Sequence, residues 1–505
     1  MSERTESAAT PVCTLDPVAQ RRNMILFACC TGLQYLAAPM LYVGITQAGL
    51  CEYLGANRRI SNLPATLFFA MTAVPAVIAW ASPKVSKLRR NLAICYAIAG
   101  VAQLLLATAL ALPIANAWKI GLVILQGGVS GAVMPAAIAL LWEVIGRGTD
   151  ERRRGSALGL AFGAGPVLAV VGSLGQSVLL GESWFGYKFP GVEFPTKYVV
   201  LFGCGGPTMF LAAALSQFFV IPPVSKEVQR ESVARVVGLL LGVPSMFASV
   251  MVLQFQSSES SWLIPIAGYS LAALAAVALT RHFLPILRQR VLLVATAVTI
   301  LVYAGNTIPS NMNLYTESAI GEKSIDVPGK QNALRFGFKV LAGTALGWML
   351  SRTSPRAGIL ATSALFLVAQ IWALCVTGPW YLLAFGIFGA GELIGVYAPN
   401  YMACASRTED LRRNMAFSTM LMVPASPMGY VFGSIVDLSR QQGWSIAGMD
   451  PDTLGFRISF LLCALMILAG MVVTIGCLPA HPRQSGDGQP VGDAGQPQHG
   501  NLGGK

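Results

Sequence analysis

The sequence predicts an all-α polytopic membrane protein built as two six-helix halves, with two additional transmembrane helices between them. Three observations carry this. Of 505 residues, 54% are hydrophobic and only 11% are charged. Soluble domains carry about 25% charged residues, so this chain cannot cover a water-facing surface in the usual way. Apolar stretches of about 20 residues recur along the chain, each long enough to cross a hydrocarbon core about 30 Å thick as a helix. The chain also writes one basic punctuation twice, half its length apart: TDERRRGSALGL from Thr149 to Leu160, and TEDLRRNMAFST from Thr408 to Thr419.

Residues 1–23 are polar and lack the short apolar core of a cleavable signal. They read as a cytoplasmic tail, and the first helix is expected to act as its own insertion signal. The N-terminal half, 24–221, holds spans expected at 24–46, 61–82, 92–112, 119–145, 156–180 and 198–221. The linker, 222–290, holds two more at 236–255 and 262–280. The C-terminal half, 291–478, holds spans at 291–309, 331–350, 357–376, 379–402, 414–436 and 457–477. Residues 479–505 are rich in Gly, Pro and Gln, with almost no large apolar side chains, and read as a disordered cytoplasmic tail. Charge sets the direction. With the N-terminus inside, the inner segments hold 24 of the 35 Lys and Arg, and the outer loops and helix ends hold nine. That bias puts both termini in the cytoplasm, in a plasma membrane or bacterial inner membrane. If only one of 236–255 and 262–280 crossed, every later loop would swap sides and the bias would reverse. Both cross or neither does, and their lengths favour both. The nine tryptophans fall in loops or near span ends, where an aromatic belt places them.

Composition also excludes. The net charge of +12 is explained by basic inner loops rather than by nucleic acid, since no basic stripe sits on a soluble domain. The ten cysteines are scattered, mostly within apolar runs, without a C-x-x-C pair, and read as small buried hydrophobes. Three histidines, His282, His481 and His499, are too few and too peripheral for a haem or zinc centre in the membrane. No Walker-type phosphate loop occurs. No metal and no cofactor is expected, and neither is an enzyme.

The repeated stretch joins spans 4 and 5, and again spans 12 and 13, which are matching places in the two halves. Internal duplication of this kind is common in secondary transporters; two ordinary basic loops alike by chance are the alternative. A second pair sits after the second helix of each half: ASPKVSKLRRN and GWMLSRTSPRAG. The latter resembles the loop signature of the major facilitator superfamily, G-x-x-x-D-R-x-G-R-R. Gly347, Arg352 and Arg356 match its first glycine, first arginine and last basic position, while Ser351, Ser354 and Pro355 depart from it. The first copy keeps Arg89 and Arg90. Gly155–Pro166, GSALGLAFGAGP, resembles the Gly-Pro motif of the superfamily's antiporters, without its trailing glycine pair. The resemblance covers spans 1–6 and 9–14, and implies two pseudo-symmetric six-helix bundles rocking about a central site lined by the first and fourth helices of each half. The added pair resembles that of fourteen-helix members. Arg89, Arg90, Arg153, Arg154, Gly347, Arg352, Arg356, Arg412 and Arg413 are the loop-motif and gating candidates. Gly155, Gly159 and Gly163, Gly343 with Gly347, and Gly391 with Gly395 are spaced to form smooth helix-packing faces.

Charges at membrane depth are costly and need a reason. Glu143 and Arg147 read as an interfacial i,i+4 pair, and Asp437 as exposed at an outer helix end. Arg335 and Lys339 lie one helical turn apart on one face. Lys339 is about 13 Å from the outer end of its span, at 1.5 Å per residue. Snorkelling outward accounts for Arg335 and accounts less well for Lys339. Glu392 lies mid-span in GAGELIGVYAPN. Either Glu392 and Lys339 are a structural ion pair, or the two cations hold an anionic substrate while Glu392 takes up a proton. A buried carboxylate is costly to keep charged, which suits proton exchange. Gln34, Tyr35, Tyr42, Gln126, Ser130, Tyr303, Asn306, Asn311, Asn313, Tyr397 and Asn400 supply polar groups to a solute; each alone also reads as helix–helix glue. Pro309 and Pro399 are placed to loosen helices near the gates. The expected function is secondary active transport of a small solute, an organic anion on the cation-pair reading, with protons, the bilayer and no nucleic acid as partners, by a monomer. The alternatives are a drug or metabolite exporter by proton antiport, and a non-transporting assembly factor or sensor on a transporter scaffold.

Overall fold

The computed structural model describes residues 15–482, except 43, 83, 150, 185, 223–236, most of 239–261, 351, 407–413, 415, 416, 419 and 447. Half of the span expected at 236–255, part of that at 414–436, the tails beyond these limits, and Arg412 and Arg413 fall outside the described residues. So do the side chains of Arg153 and Arg154 and the packing of Gly155, Gly159 and Gly163.

The described chain is helical, with one short antiparallel pairing, Ser183–Trp184 with Tyr187–Lys188. Among the described residues, eight helices are long and apolar enough to cross a membrane, as an integral multi-pass membrane protein requires. Asp16 starts the first helix, Pro17–Leu36, by accepting from the Ala19 N–H, and Pro17 opens its first turn. That is an ordinary N-cap followed by a proline where no donor is needed. The long helices Leu88–Ala111, Asn116–Gly148, Glu151–Leu180, Thr196–Ser216, Leu263–Leu287, Pro355–Cys375 and Pro451–Cys477 lie where spans were expected, within a few residues, except that Leu263–Leu287 runs past 280 and Glu151–Leu180 takes in the basic run expected as a loop.

Other expected spans are interrupted. The stretch 24–46 is not one helix: Pro17–Leu36 ends, Ala38–Leu41 makes one turn, and Ile45–Tyr53 restarts. Pro39 removes a donor here, and Gly44 takes φ 149°, a conformation left almost entirely to glycine. The stretch 61–82 divides into Arg58–Ser61, Leu63–Ala70, a 3-10 turn and Val74–Ala81, with Pro64 and Pro75 at the restarts. The stretch 291–309 divides at Ala304–Thr307 before Pro309–Leu314, so Pro309 does break its helix. Pro399 stays inside Ile394–Ala405.

Buried apolar side chains form two large clusters. One draws on Phe27 through Phe219, with Ile325. The other draws on Phe283 through Leu478, with Ile45, Ala48 and Ala73. Leu263–Arg281 is the least buried of the candidate spans and packs at the periphery. Val277, Leu341 and Val472 stand exposed on their helices, the faces that lipid would cover. In each half, an arginine in the first turn of a long helix, where a basic loop was expected, caps a distant helix end. Arg89 Nη1 donates to the carbonyls of Gln217 and Phe219, and Arg356 Nη1 donates to that of Leu478. Cations at helix carbonyl ends are favourable. Arg90 is exposed, and Arg352 stacks 4.3 Å from the Trp348 ring centroid.

The two halves meet along loops at one end, called the outer end after the orientation that loop charge predicts. Glu52 pairs with Arg58 and accepts from Ser324 Oγ. Lys197 Nζ pairs with Asp326 at 2.7 Å, and Tyr198 Oη donates to the Ile325 carbonyl. Asp437 is not exposed as expected: it is buried, and accepts from the N–H groups of Arg58 at 3.1 Å and Arg59 at 3.0 Å. It caps the start of a helix from the other half, which a reading confined to its own helix does not reveal. Asp437→Ala should cost about 1 kcal/mol, the value of a lost cap, and Asp437→Asn less; melting curves in detergent check the order. Glu143 and Arg147 do form the expected pair, at 2.7 Å.

The glycine reading needs correction. Gly343, Gly347 and Gly395 face open space, and only Gly391 packs closely, against the Phe366 ring. Residues spaced every fourth position share a face, but spacing does not say whether that face meets protein or lipid.

Candidate functional site

Three charges meet between the Pro328–Leu350 helix and the Leu383–Gly391 helix. Arg335 Nε donates to Glu392 Oε2 at 2.9 Å, Arg335 Nη2 donates to Oε1, and Lys339 Nζ donates to Oε2 at 3.0 Å. Arg335 is 6% exposed. It turns inward to Glu392 and does not snorkel to the surface. A planar guanidinium gripping a carboxylate with two bonds is the stronger of the two contacts. Lys339 completes the cluster, so the expected Glu392–Lys339 pair is a triad with Arg335 as its main member.

Backbone packing sets this geometry. Glu392 falls at the interruption between Leu383–Gly391 and Ile394–Ala405. One turn earlier, a Cβ built on Gly389 would lie 2.6 Å from the Arg335 carbonyl carbon. Only glycine lets the two helices approach so closely at the level of the ion cluster. Arg335 Nη1 is buried with no hydrogen-bond partner among the described residues. A buried donor left unpaired costs about 1–3 kcal/mol, so the site holds an unused hydrogen-bond donor.

Aromatic rings surround the charges. Arg335 lies 5.7 Å from the Phe388 centroid, and Lys339 5.6 Å from that of Phe336. Tyr42 stands edge-on to Phe336 at 6.1 Å and stacks with Tyr35 at 6.2 Å. Tyr42 therefore adjoins the cluster through Phe336, and Tyr35 adjoins Tyr42. Phe336 and Phe388 were not anticipated. Phe336 adjoins Arg335 in sequence, but its apolar side chain looks like any other core residue there.

The other polar candidates sit elsewhere. Gln34 donates to Tyr96 Oη. Gln126 donates to the Met40 carbonyl at 3.1 Å and Ser130 Oγ at 3.0 Å, which holds the interruption of the first helix. Asn311 accepts from Asn62, and Asn313 donates to the Ile45 carbonyl. Tyr303 and Asn306 are buried. Tyr397 packs over Gly358, and Asn400 is half-buried. None of these hydrogen-bonds the triad. One cavity does open beside Tyr35 and Tyr42, lined also by Gln34, Thr31 and Trp142.

No protein-family model matches the chain, and no curated protein matches it in sequence. Solved structures do match in fold. A mutant of the nucleoside transporter NupG aligns at TM-score 0.57 and 12% identity, over 89% of this chain and 99% of its own. The POT family transporter PepTSo aligns at 0.61 and 14%, over 91% and 98%. A structure described for substrate recognition in proton dependent oligopeptide transporters aligns at 0.60 and 16%, over 90% and 97%. At this identity the likeness concerns architecture alone: the chain has the fold of major facilitator transporters.

Proposed function

We propose that this chain is a secondary active transporter that moves a small organic anion by alternating access between two six-helix bundles, 24–221 and 291–478. On this reading it works as a monomer with both termini in the cytoplasm. The observation that carries the proposal is the buried triad, whose two cations face one carboxylate and leave Arg335 Nη1 unpaired. The fold similarity to transporters named for nucleosides and peptides supports transport as the class.

In the empty protein Glu392 occupies the cations that an anionic substrate needs. When Glu392 takes up a proton it no longer holds Arg335 and Lys339 by charge, and the substrate's carboxylate or phosphate replaces it. Proton and anion then bind together, which couples their movement. Tyr35, Tyr42 and Phe336 add a flat apolar wall that suits a substrate with an unsaturated or aromatic body.

The test is uptake of labelled organic acids and sugar phosphates into proteoliposomes, with and without a proton gradient. Lys339→Ala is expected to lower uptake at least about tenfold, the cost of one charge-assisted contact. Glu392→Gln is expected to keep binding and lose gradient dependence. If both variants transport like the parent, the triad is not the substrate site. A second reading, export of a lipophilic cation by antiport, draws on the same rings and on Glu392. A thermal shift from lipophilic cations alone would favour it.

A further inference from the structure

Two carboxylates cross the outer seam in opposite directions. Asp437 caps Arg58–Ser61 from the C-terminal side. Glu182, just past the Glu151–Leu180 helix, caps the Pro328–Leu350 helix from the N-terminal side: it accepts from Gly329 N–H at 2.7 Å, Lys330 N–H at 2.8 Å and Ser177 Oγ at 2.7 Å. Each supplies acceptors to donors that a helix start leaves unsatisfied. The approach at Gly329 is close, since a Cβ there would lie 2.8 Å from Glu182 Oε1 and 2.6 Å from Ser177 N.

We infer that Glu182 is a proton-binding site that holds the outer end shut when protonated and loosens it when ionised. The two caps differ in what answers their charge. Asp437 has Arg59 Nε at 3.6 Å. Glu182 is 3% exposed and forms no ion pair among the described residues. The groups that face it are few. Ser177 comes from its own helix. Lys330 comes from the opposite helix, with its Nζ already held by Glu322 at 2.7 Å. Tyr198 comes from Thr196–Ser216, beside the Lys197–Asp326 pair. Burial pushes the Glu182 carboxyl up from 4.5 to about 7, against the pull of Ser177, the two N–H groups and Lys330.

The sign follows from linkage. The closed end binds a proton that a hydrated, opened Glu182 would release, so protonation stabilises closure. Between about pH 4.5 and about pH 7, each unit weights the open form by up to about tenfold, and above that both forms are ionised and the balance no longer moves. Protonated Glu182 keeps one oxygen for Gly329 N–H, and the Ser177 hydroxyl turns to accept the acid proton. The site is separate from Glu392. Its consequence for transport rests on alternating access, but its test does not.

The test is hydrogen–deuterium exchange of the full chain in lipid nanodiscs, followed in the peptide 325–335 from about pH 5.5 to about pH 8.5, with rates corrected for intrinsic exchange. Protection in the parent is expected to fall by up to about tenfold per unit up to about pH 7 and to level off above it. Glu182→Gln, a neutral mimic, should stay protected across the range, and Glu182→Ala should lack protection throughout. A flat parent profile would overturn the inference, whether or not the variants fold. So would a Glu182→Gln profile with the parent's slope.

Discussion

Arg335→Ala is expected to lower stability by about 3–5 kcal/mol, the usual cost of breaking a buried pair from one side. Glu392 would remain between two helices with only Lys339 at 3.0 Å to answer it. Lys339→Ala should cost less, because both bonds from Arg335 survive it. Replacing Arg335, Lys339 and Glu392 together by methionine should recover most of the loss, since a buried ion cluster and a packed apolar one are often near equal in stability. Transport should be absent in the triple variant all the same. Melting temperatures in detergent give the order: Arg335→Ala lowest, then Lys339→Ala, then the triple. An Arg335→Ala protein that melts with the parent would mean that water reaches the cluster and that its charges are not buried in solution.

Gly389→Ala is expected to be among the most damaging single methyl groups at the described glycines. The added Cβ would meet the Arg335 carbonyl and lie 2.7 Å from its Cα, so the helices carrying the triad must part. Overpacking of this kind costs about 1–3 kcal/mol. Here it also lengthens the Arg335–Glu392 bonds, so activity should fall by more than the melting temperature suggests. Gly343→Ala and Gly347→Ala are the controls. Both face open space, and both should hold or gain up to about 1 kcal/mol from helix propensity. Equal effects at 343 and 389 would show that spacing, not contact, governs these glycines.

The contrast between those glycines shows what a sequence carries. Apolar runs of membrane length are local, so most long helices lay within a few residues of their expected limits. Arg335, Lys339 and Glu392 stood out because charge at membrane depth is rare. That Arg335 is the main partner was not legible, because 57 residues separate it from Glu392 and only packing at Gly389 brings them level. Asp437 and Glu182 were hidden for the opposite reason. At a helix end a carboxylate is ordinary, and what makes these two unusual is a backbone from the other half. The interrupted first helix was missed because Pro39 and Gly44 sit in a largely apolar run: hydropathy reports the solvent, not the φ angle of Gly44.

Helix length has a consequence for the choice of lipid. Asn116–Gly148 has 33 residues, and Thr196–Ser216 in the same half has 21. At 1.5 Å per residue these are about 50 Å and about 32 Å, against a hydrocarbon core of about 30 Å. The shorter helix barely reaches across, while the longer one stands well clear of the core and lifts the Glu143–Arg147 pair toward the headgroups. Pro355–Cys375, in the other half, also has 21 residues. A thicker bilayer is therefore felt first by one short helix in each half, which must draw the membrane thinner around it, and the long helix has length to spare.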